Sequence, residues 1–207
     1  MVKIKICGIT NTDDALYAEG LGAHALGFIF AESPRSVTPQ KARAIIRSLP
    51  PFISKVGVFV DPSYDTLKDV IAITGITAVQ LHGEESDSFC ARVRDICPVI
   101  KGFRIKVRAD IEGIGGYKNI DAVLLDTYSE RARGGTGMSF DWELAKKAKT
   151  YGIPLILAGG ISCENISEAI TSVRPYAIDV ASSIEKAPGK KDPALLEKLF
   201  FRLRQSA

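Results

Sequence analysis

Lys3-Ile4-Lys5-Ile6-Cys7-Gly8-Ile9-Thr10 is the stretch from which the fold is read. Alternating Lys and Ile reads as a short strand, and Gly8 ends it. Thr12 then precedes Asp13 and Asp14, two carboxylates suited to a helix N-terminus. One thiol, Cys7, therefore stands at the C-terminal end of a strand that runs into a turn and a helix.

The same unit recurs seven more times. The further strand candidates are Ala25–Phe30, Lys55–Val60, Thr77–Leu81, Val99–Arg104, Ala122–Asp126, Pro154–Ala158 and Ala177–Val180. Most are nearly continuous Val, Ile, Leu or Phe, the pattern of parallel strands buried on both faces. Thr38-Pro39 and Asp192-Pro193 each pair a cap with proline at the first helical position. Leu67, Val70, Ile71 follow helical spacing, as do Phe89, Val93, Ile96, then Ile166, Ala169, Ile170, Val173, and finally Leu195, Leu196, Leu199, Leu203. Residues 109–117 are the weakest helix and are expected to be short.

Eight strands, each followed by a helix, predict an α/β chain forming a single-domain (β/α)8 TIM barrel over residues 1–207, near the minimum size for that fold. An open doubly wound sheet is the alternative; it usually has fewer strands, and no GxGxxG follows the first strand here. Residues 127–139 form a polar, Gly-rich loop longer than a connector needs.

Composition narrows the function. The chain has 207 residues, 46% hydrophobic and 25% charged, with a formal charge of +3. Both signs are dispersed, so one or a few phosphate groups suit it better than nucleic acid. No apolar run approaches the ~18 residues of a membrane span. Strand signal starts at Val2, so no cleavable leader is expected. The four cysteines lack CxxC spacing and fit reduced thiols in a cytoplasmic protein. With only His24 and His82, a histidine-rich metal site is not expected.

In such barrels the site lies where the strands end. Those ends supply Cys7, Arg35, Asp61, Gln80, His82, Asp126, Gly159-Gly160, Asp179 and Ser182-Ser183. Gly159-Gly160-Ile161-Ser162 is read as running straight into a helix, where backbone N–H groups and the helix start favour an anion. Ser182 and Ser183 add hydroxyl and N–H donors from the next loop. Cys7 is either a small core residue or a reactive thiol. Asp126 either caps a turn or serves the site. Arg35 is either a solvated arginine or a guanidinium clamp for a carboxylate. His82 is either a structural hydrogen-bonding residue or a catalytic one.

Taken together, the motifs resemble the phosphoribosylanthranilate isomerase family of tryptophan biosynthesis. The resemblance rests on Lys5-Ile6-Cys7-Gly8-Ile9-Thr10, Gly27-Phe28-Ile29-Phe30 with Ser33-Pro34-Arg35-Ser36-Val37, Val56-Gly57-Val58-Phe59-Val60 and Val79-Gln80-Leu81-His82-Gly83. It continues through Leu125-Asp126-Thr127, Gly134-Gly135-Thr136-Gly137 with Phe140-Asp141-Trp142, Leu157-Ala158-Gly159-Gly160-Ile161, Asp179-Val180 and Pro188-Gly189-Lys190-Lys191-Asp192. Each motif is unspecific; their order is highly specific. Ser183 stands where the family has glycine, and Met138-Ser139 where it often has Lys-Thr.

The resemblance implies an Amadori rearrangement of N-(5-phosphoribosyl)anthranilate, with Cys7 as general base, Asp126 as general acid and Arg35 holding the anthranilate carboxylate. It places the phosphate on the loops of Gly159, Gly160, Ser182 and Ser183. From their places at strand ends, Gln80, His82 and Asp179 are expected to join the substrate site. It implies no metal and no cofactor, a small-molecule substrate as the only partner, and either a monomer or a homodimer. Another sugar-phosphate isomerase or epimerase, or an inactive phosphate-binding relative, remains the alternative. The chemistry needs Cys7 as thiolate and Asp126 protonated. The helix start after Gly8, with a nearby basic group, is expected to lower the thiol, and the glycine-hinged loop at 134–137 is expected to close over the site.

Overall fold

The computed structural model describes residues 2–105, 107–126 and 142–206. The loop expected to close over the site, and Met138-Ser139 within it, lie outside them. Eight parallel strands pair in sequence order and close, β1 (Lys3–Cys7) joining β8 (Ala177–Val180). Between them run β2 (Ala25–Ile29), β3 (Ser54–Phe59), β4 (Ala78–Leu81), β5 (Val99–Arg104), β6 (Ala122–Asp126) and β7 (Leu155–Ala158). The helices are α1 (Thr12–Gly20), α2 (Pro39–Arg47), α3 (Tyr64–Thr74), α4 (Asp87–Arg94), α5 (Arg108–Glu112), α6 (Trp142–Ala148), α7 (Ile166–Val173) and α8 (Pro193–Gln205). Before α8 a small antiparallel hairpin forms from β9 (Glu185–Ala187) and β10 (Lys190–Lys191). The barrel expected from sequence is the fold observed.

Strand alternation sorts the core into two layers. Ile4, Ile6, Leu26, Phe28, Leu125, Leu157 and Ile178 face outward and pack against the helices. Ala122, Leu124, Ile156, Ala158 and Ala177 form a smaller cluster inside the barrel. An eight-stranded barrel is just wide enough for such side chains to fill. Lys5 and Cys7, by the same alternation, point inward.

Local chemistry accounts for the helix starts. Thr38 accepts from the Lys41 N–H ahead of Pro39, and Asp192 accepts from the Ala194 and Leu195 N–H groups. The α1 cap differs from expectation: Asn11, not Thr12, accepts from the Asp14 N–H, and Thr12 is already helical. Ile96 lies beyond the end of α4 and is exposed, so the helical spacing there stops at Val93. The weak segment gives only α5 and a 3-10 turn at Gly113–Gly116. Among the described residues, no helix is long and apolar enough to cross a membrane.

All four cysteines are buried and free. Burial pushes the Cys90 and Cys97 thiols up to about 11. A raised acid keeps its proton longer in the folded state. Its stabilising share is therefore whole below the ordinary thiol range and is lost as pH rises toward 11. We predict that the stability advantage of wild type over Cys90→Ala, read by urea unfolding, shrinks between pH 8 and pH 10.5 by on the order of 2 kcal/mol. A pH-independent difference contradicts this.

Candidate active site

The C-terminal strand ends surround a cavity of about 340 Å³. Nine of the eleven strand-end residues read from sequence line it: Cys7, Gln80, His82, Asp126, Gly159, Gly160, Asp179, Ser182 and Ser183. Arg35 and Asp61 do not. A larger cavity, about 700 Å³, opens at the opposite end of the barrel among groups such as Phe52, Ile53, Pro98 and Pro154. Volume would select that one. The titratable strand ends select the smaller.

Cys7 ends β1, and the position facing it on β2 is Gly27. A Cβ on Gly27 would stand 2.7 Å from Cys7 Sγ and 3.2 Å from Lys5 Cε, so only glycine makes room for both side chains. The helix start proposed to activate the thiol is not beside it. α1 begins at Thr12, and the Gly8 and Ile9 N–H groups both donate to the Gly27 carbonyl. The thiol is in fact held above its ordinary value. Burial pushes it up, the Lys5 ammonium opposes this, the Asp179 carboxylate adds to it, and Lys191 opposes it more weakly.

Asp126 ends β6 and is about one-third exposed. His82 Nε2 lies 3.3 Å from its Oδ2, and Gln80 Nε2 lies 3.0 Å from His82 Nδ1. These distances fit a Gln80 amide that donates to Nδ1 and a ring that donates its Nε2 proton to Asp126. Gly102 on β5 leaves space for this ring, because a Cβ there would stand 2.5 Å from His82 Nδ1. His82 and Gln80 thus line the cavity and also hold Asp126. Asp61, a strand end that had been read as facing the mouth, is engaged elsewhere. Its N–H donates to Glu85 and its carboxylate accepts from the Glu84 N–H, shaping the turn after β4.

The two loops expected from sequence to hold an anion follow the ends of β7 and β8. Gly159 and Gly160 have φ of 78° and 65°, conformations glycine adopts without strain. They do not run straight into a helix. Asn165 accepts from the Ser162 N–H and donates to the Gly160 carbonyl, and α7 starts only at Ile166. The Ser183 hydroxyl donates to the Ile161 carbonyl and ties this loop to the one after β8.

Arg35 packs across Gly8, whose φ is 77° and whose Cβ would stand 2.8 Å from Arg35 Cδ. Its Nε and Nη2 donate to Glu185 on β9 at 2.7–3.0 Å. Glu185 also accepts from Lys191 Nζ, which is fully buried and donates to the carbonyls of Cys7 and Ala181. Burial would raise the Glu185 carboxyl, but Arg35 and Lys191 together hold it below its usual range. This cluster pins the hairpin against the ends of β1 and β8. Lys5, Glu185 and Lys191 were not singled out from sequence. For Lys5 a signal existed: residues 5 and 7 of one strand share a face.

The comparisons with known proteins agree with one another. The family model described as N-(5'-phosphoribosyl)anthranilate (PRA) isomerase matches residues 4–202. The N-(5'-phosphoribosyl)anthranilate isomerase of Geobacter sulfurreducens is 47% identical over 205 residues, covering 99% of each chain. The crystal structure of phosphoribosyl anthranilate isomerase from Thermotoga maritima superposes with a TM-score of 0.92 at 40% identity, over 99% of this chain and 100% of that one. A structure of such an isomerase in complex with reduced 1-(o-carboxyphenylamino)-1-deoxyribulose 5-phosphate gives 0.90 at 38% identity, over 99% and 100%.

Crowding at Gly27 is directly testable. Gly27→Ala should cost about 1–3 kcal/mol in urea unfolding, as overpacking does, and less in a Cys7→Ala background, where the nearest obstacle is gone. Gly20→Ala, with open space around its Cβ, should be neutral or stabilising by up to about 1 kcal/mol. An equal Gly27 penalty with and without the Cys7 sulfur contradicts the packing argument.

Proposed function

The chain belongs to the N-(5'-phosphoribosyl)anthranilate isomerase family, and from that premise we propose that Cys7 and Asp126 carry out its Amadori rearrangement as general base and general acid. The substrate is N-(5-phosphoribosyl)anthranilate, an aminoaldose; the product is the aminoketose 1-(2-carboxyphenylamino)-1-deoxyribulose 5-phosphate. The observation that carries this reading is that a thiol and a carboxyl, from β1 and β6, open onto one cavity beside two glycine- and serine-rich loops. Four buried, unpaired thiols fit a reducing cytoplasm as the compartment.

The furanose opens when Asp126 protonates the ring oxygen. The resulting Schiff base acidifies C2′–H, and the Cys7 thiolate removes that proton. The enolamine then tautomerises to the ketone. Positioned acids and bases of this kind contribute about 10²–10⁴-fold each. His82, oriented by Gln80, fixes the Asp126 carboxyl.

Binding falls to groups that do not react. The backbone of Gly159 and Gly160 and the loop of Ser182 and Ser183 take the phosphate. Because the Ser183 hydroxyl is committed to Ile161, its role there passes to the backbone. Arg35 has five N–H donors; Glu185 holds the Nε–Nη2 edge, and the substrate carboxylate takes the other.

Following anthranilate fluorescence with phosphoribosylanthranilate as substrate tests the assignment. Wild type should turn over. Cys7→Ser and Asp126→Asn should each lose at least about 10²-fold in kcat, and Arg35→Ala should mainly raise KM. Near-full activity in the Cys7 and Asp126 variants would sink the assignment, and wild type that binds without turnover would be an inactive relative.

A further inference from the structure

The proposed chemistry needs a thiolate, and the site around Cys7 is built largely against one. Burial and the Asp179 carboxylate both work against the charge. The stronger of the two cations that work for it has so far no function: the buried lysine two residues before Cys7.

Lys5 and Cys7 are successive inward positions on β1. Lys5 Cε and Cys7 Sγ both lie within 3.2 Å of the single point that a Gly27 Cβ would occupy, so the end of the lysine side chain lies close to the sulfur. Lys5 is 3% exposed and its Nζ donates to Asp179 Oδ2 at 2.9 Å. The two residues are exact register partners across the β1–β8 seam. Among the described residues Asp179 Oδ1 is buried with no hydrogen-bond partner, and Oδ2 is bonded to Lys5. An apolar side chain would fill the Lys5 position without the cost of burying an ammonium ion. Space-filling is therefore a poor account of this residue.

We propose that Lys5 is a positioning residue for Cys7: anchored by Asp179, its ammonium is the counter-charge that sustains the thiolate for proton abstraction. This rests on the reading of Cys7 as general base. Lys5 transfers no proton. The thiolate takes the C2′ proton and becomes a thiol; the C–H electron pair forms the C1′–C2′ double bond and the C1′=N π pair moves onto nitrogen. Through this step the ammonium stays charged. Burial alone would lower Lys5, but Asp179 and then Cys7 hold it above its ordinary value, which favours the ammonium form.

The other charged groups facing Cys7 do not duplicate this role. Lys191 on β10 directs its Nζ to the Cys7 carbonyl and to Glu185, and Glu185 is shared with Arg35. Across the cavity, Asp126, His82 and Glu32 line the walls. Lys5 is the positive group with the largest influence on the sulfur, and Asp179 is the negative one.

The test reads the thiol itself. The rate of Cys7 alkylation by iodoacetamide, followed by peptide mass spectrometry against pH, gives its ionisation in wild type, Lys5→Met and Asp179→Asn. The inflection should move up by about one unit or more in Lys5→Met and down in Asp179→Asn. At neutral pH each unit upward is about a tenfold loss of thiolate, so kcat in Lys5→Met should fall at least about tenfold with KM little changed. If either single variant fails to fold, the double variant Lys5→Met/Asp179→Leu removes the ion pair together and should still shift upward. An unmoved inflection, or shifts of the same direction in both single variants, overturns the proposal. Because alkylation is independent of turnover, full activity in Cys7→Ser would refute the general-base reading without deciding the effect of Lys5.

Discussion

The 2.9 Å bond between Lys5 and Asp179 joins residues 174 positions apart in sequence, and the site depends on the closure it spans. Only when β8 lies beside β1 does a carboxylate meet the lysine that shares a face with Cys7. β7 and β8 pair directly, so the loops after them meet, where Ser183 is bonded to Ile161, and the closure sets both beside the end of β1. An open sheet with the same strands would separate the proposed base from the proposed anion loops. A barrel this small gains a compact mouth, at the cost of burying charges that must then satisfy one another.

Those charges are arranged in two groups around the end of β1. Inside the barrel, Asp179 and Lys5 lie below the thiol. Outside it, Glu185 holds Arg35 and Lys191, and Lys191 reaches back to the Cys7 carbonyl. The first group acts on the side chain of Cys7 and the second on its backbone. Glycine supplies the room for both. Gly27 admits the sulfur and the lysine stem, and Gly8 lets Arg35 cross the strand end. The hairpin of β9 and β10 is thus part of the site's support, though neither strand lines its floor.

Much of this was legible in the sequence. The bounds Lys3–Cys7, Val99–Arg104, Ala122–Asp126 and Ala177–Val180 read from the sequence coincide with the observed strands, because apolar runs ended by polar or glycine residues mark strand ends well. The cavity-lining residues followed from taking those ends together. What was missed depends on long-range pairing or on short polar turns. Asn11 and Thr12 are both competent caps, and only the turn geometry chooses Asn11. The Ser162–Asn165 turn delays α7 without changing the apolar spacing from Ile166 onward. The pairs Lys5–Asp179 and Arg35–Glu185 join residues distant in sequence, so no local pattern announces them, although residues 5 and 7 of one strand share a face.

The central claim is that a thiolate at Cys7, held in the field of Lys5, removes the C2′ proton. Single-turnover rates with substrate deuterated at C2′, compared between wild type and Lys5→Met, test it most directly. Depleting the thiolate should slow proton abstraction and make it more limiting, so the variant should show a normal primary isotope effect at least as large as that of wild type. A slowed variant with no isotope effect would contradict the account, because Lys5 would then be acting on a step other than the one assigned to Cys7.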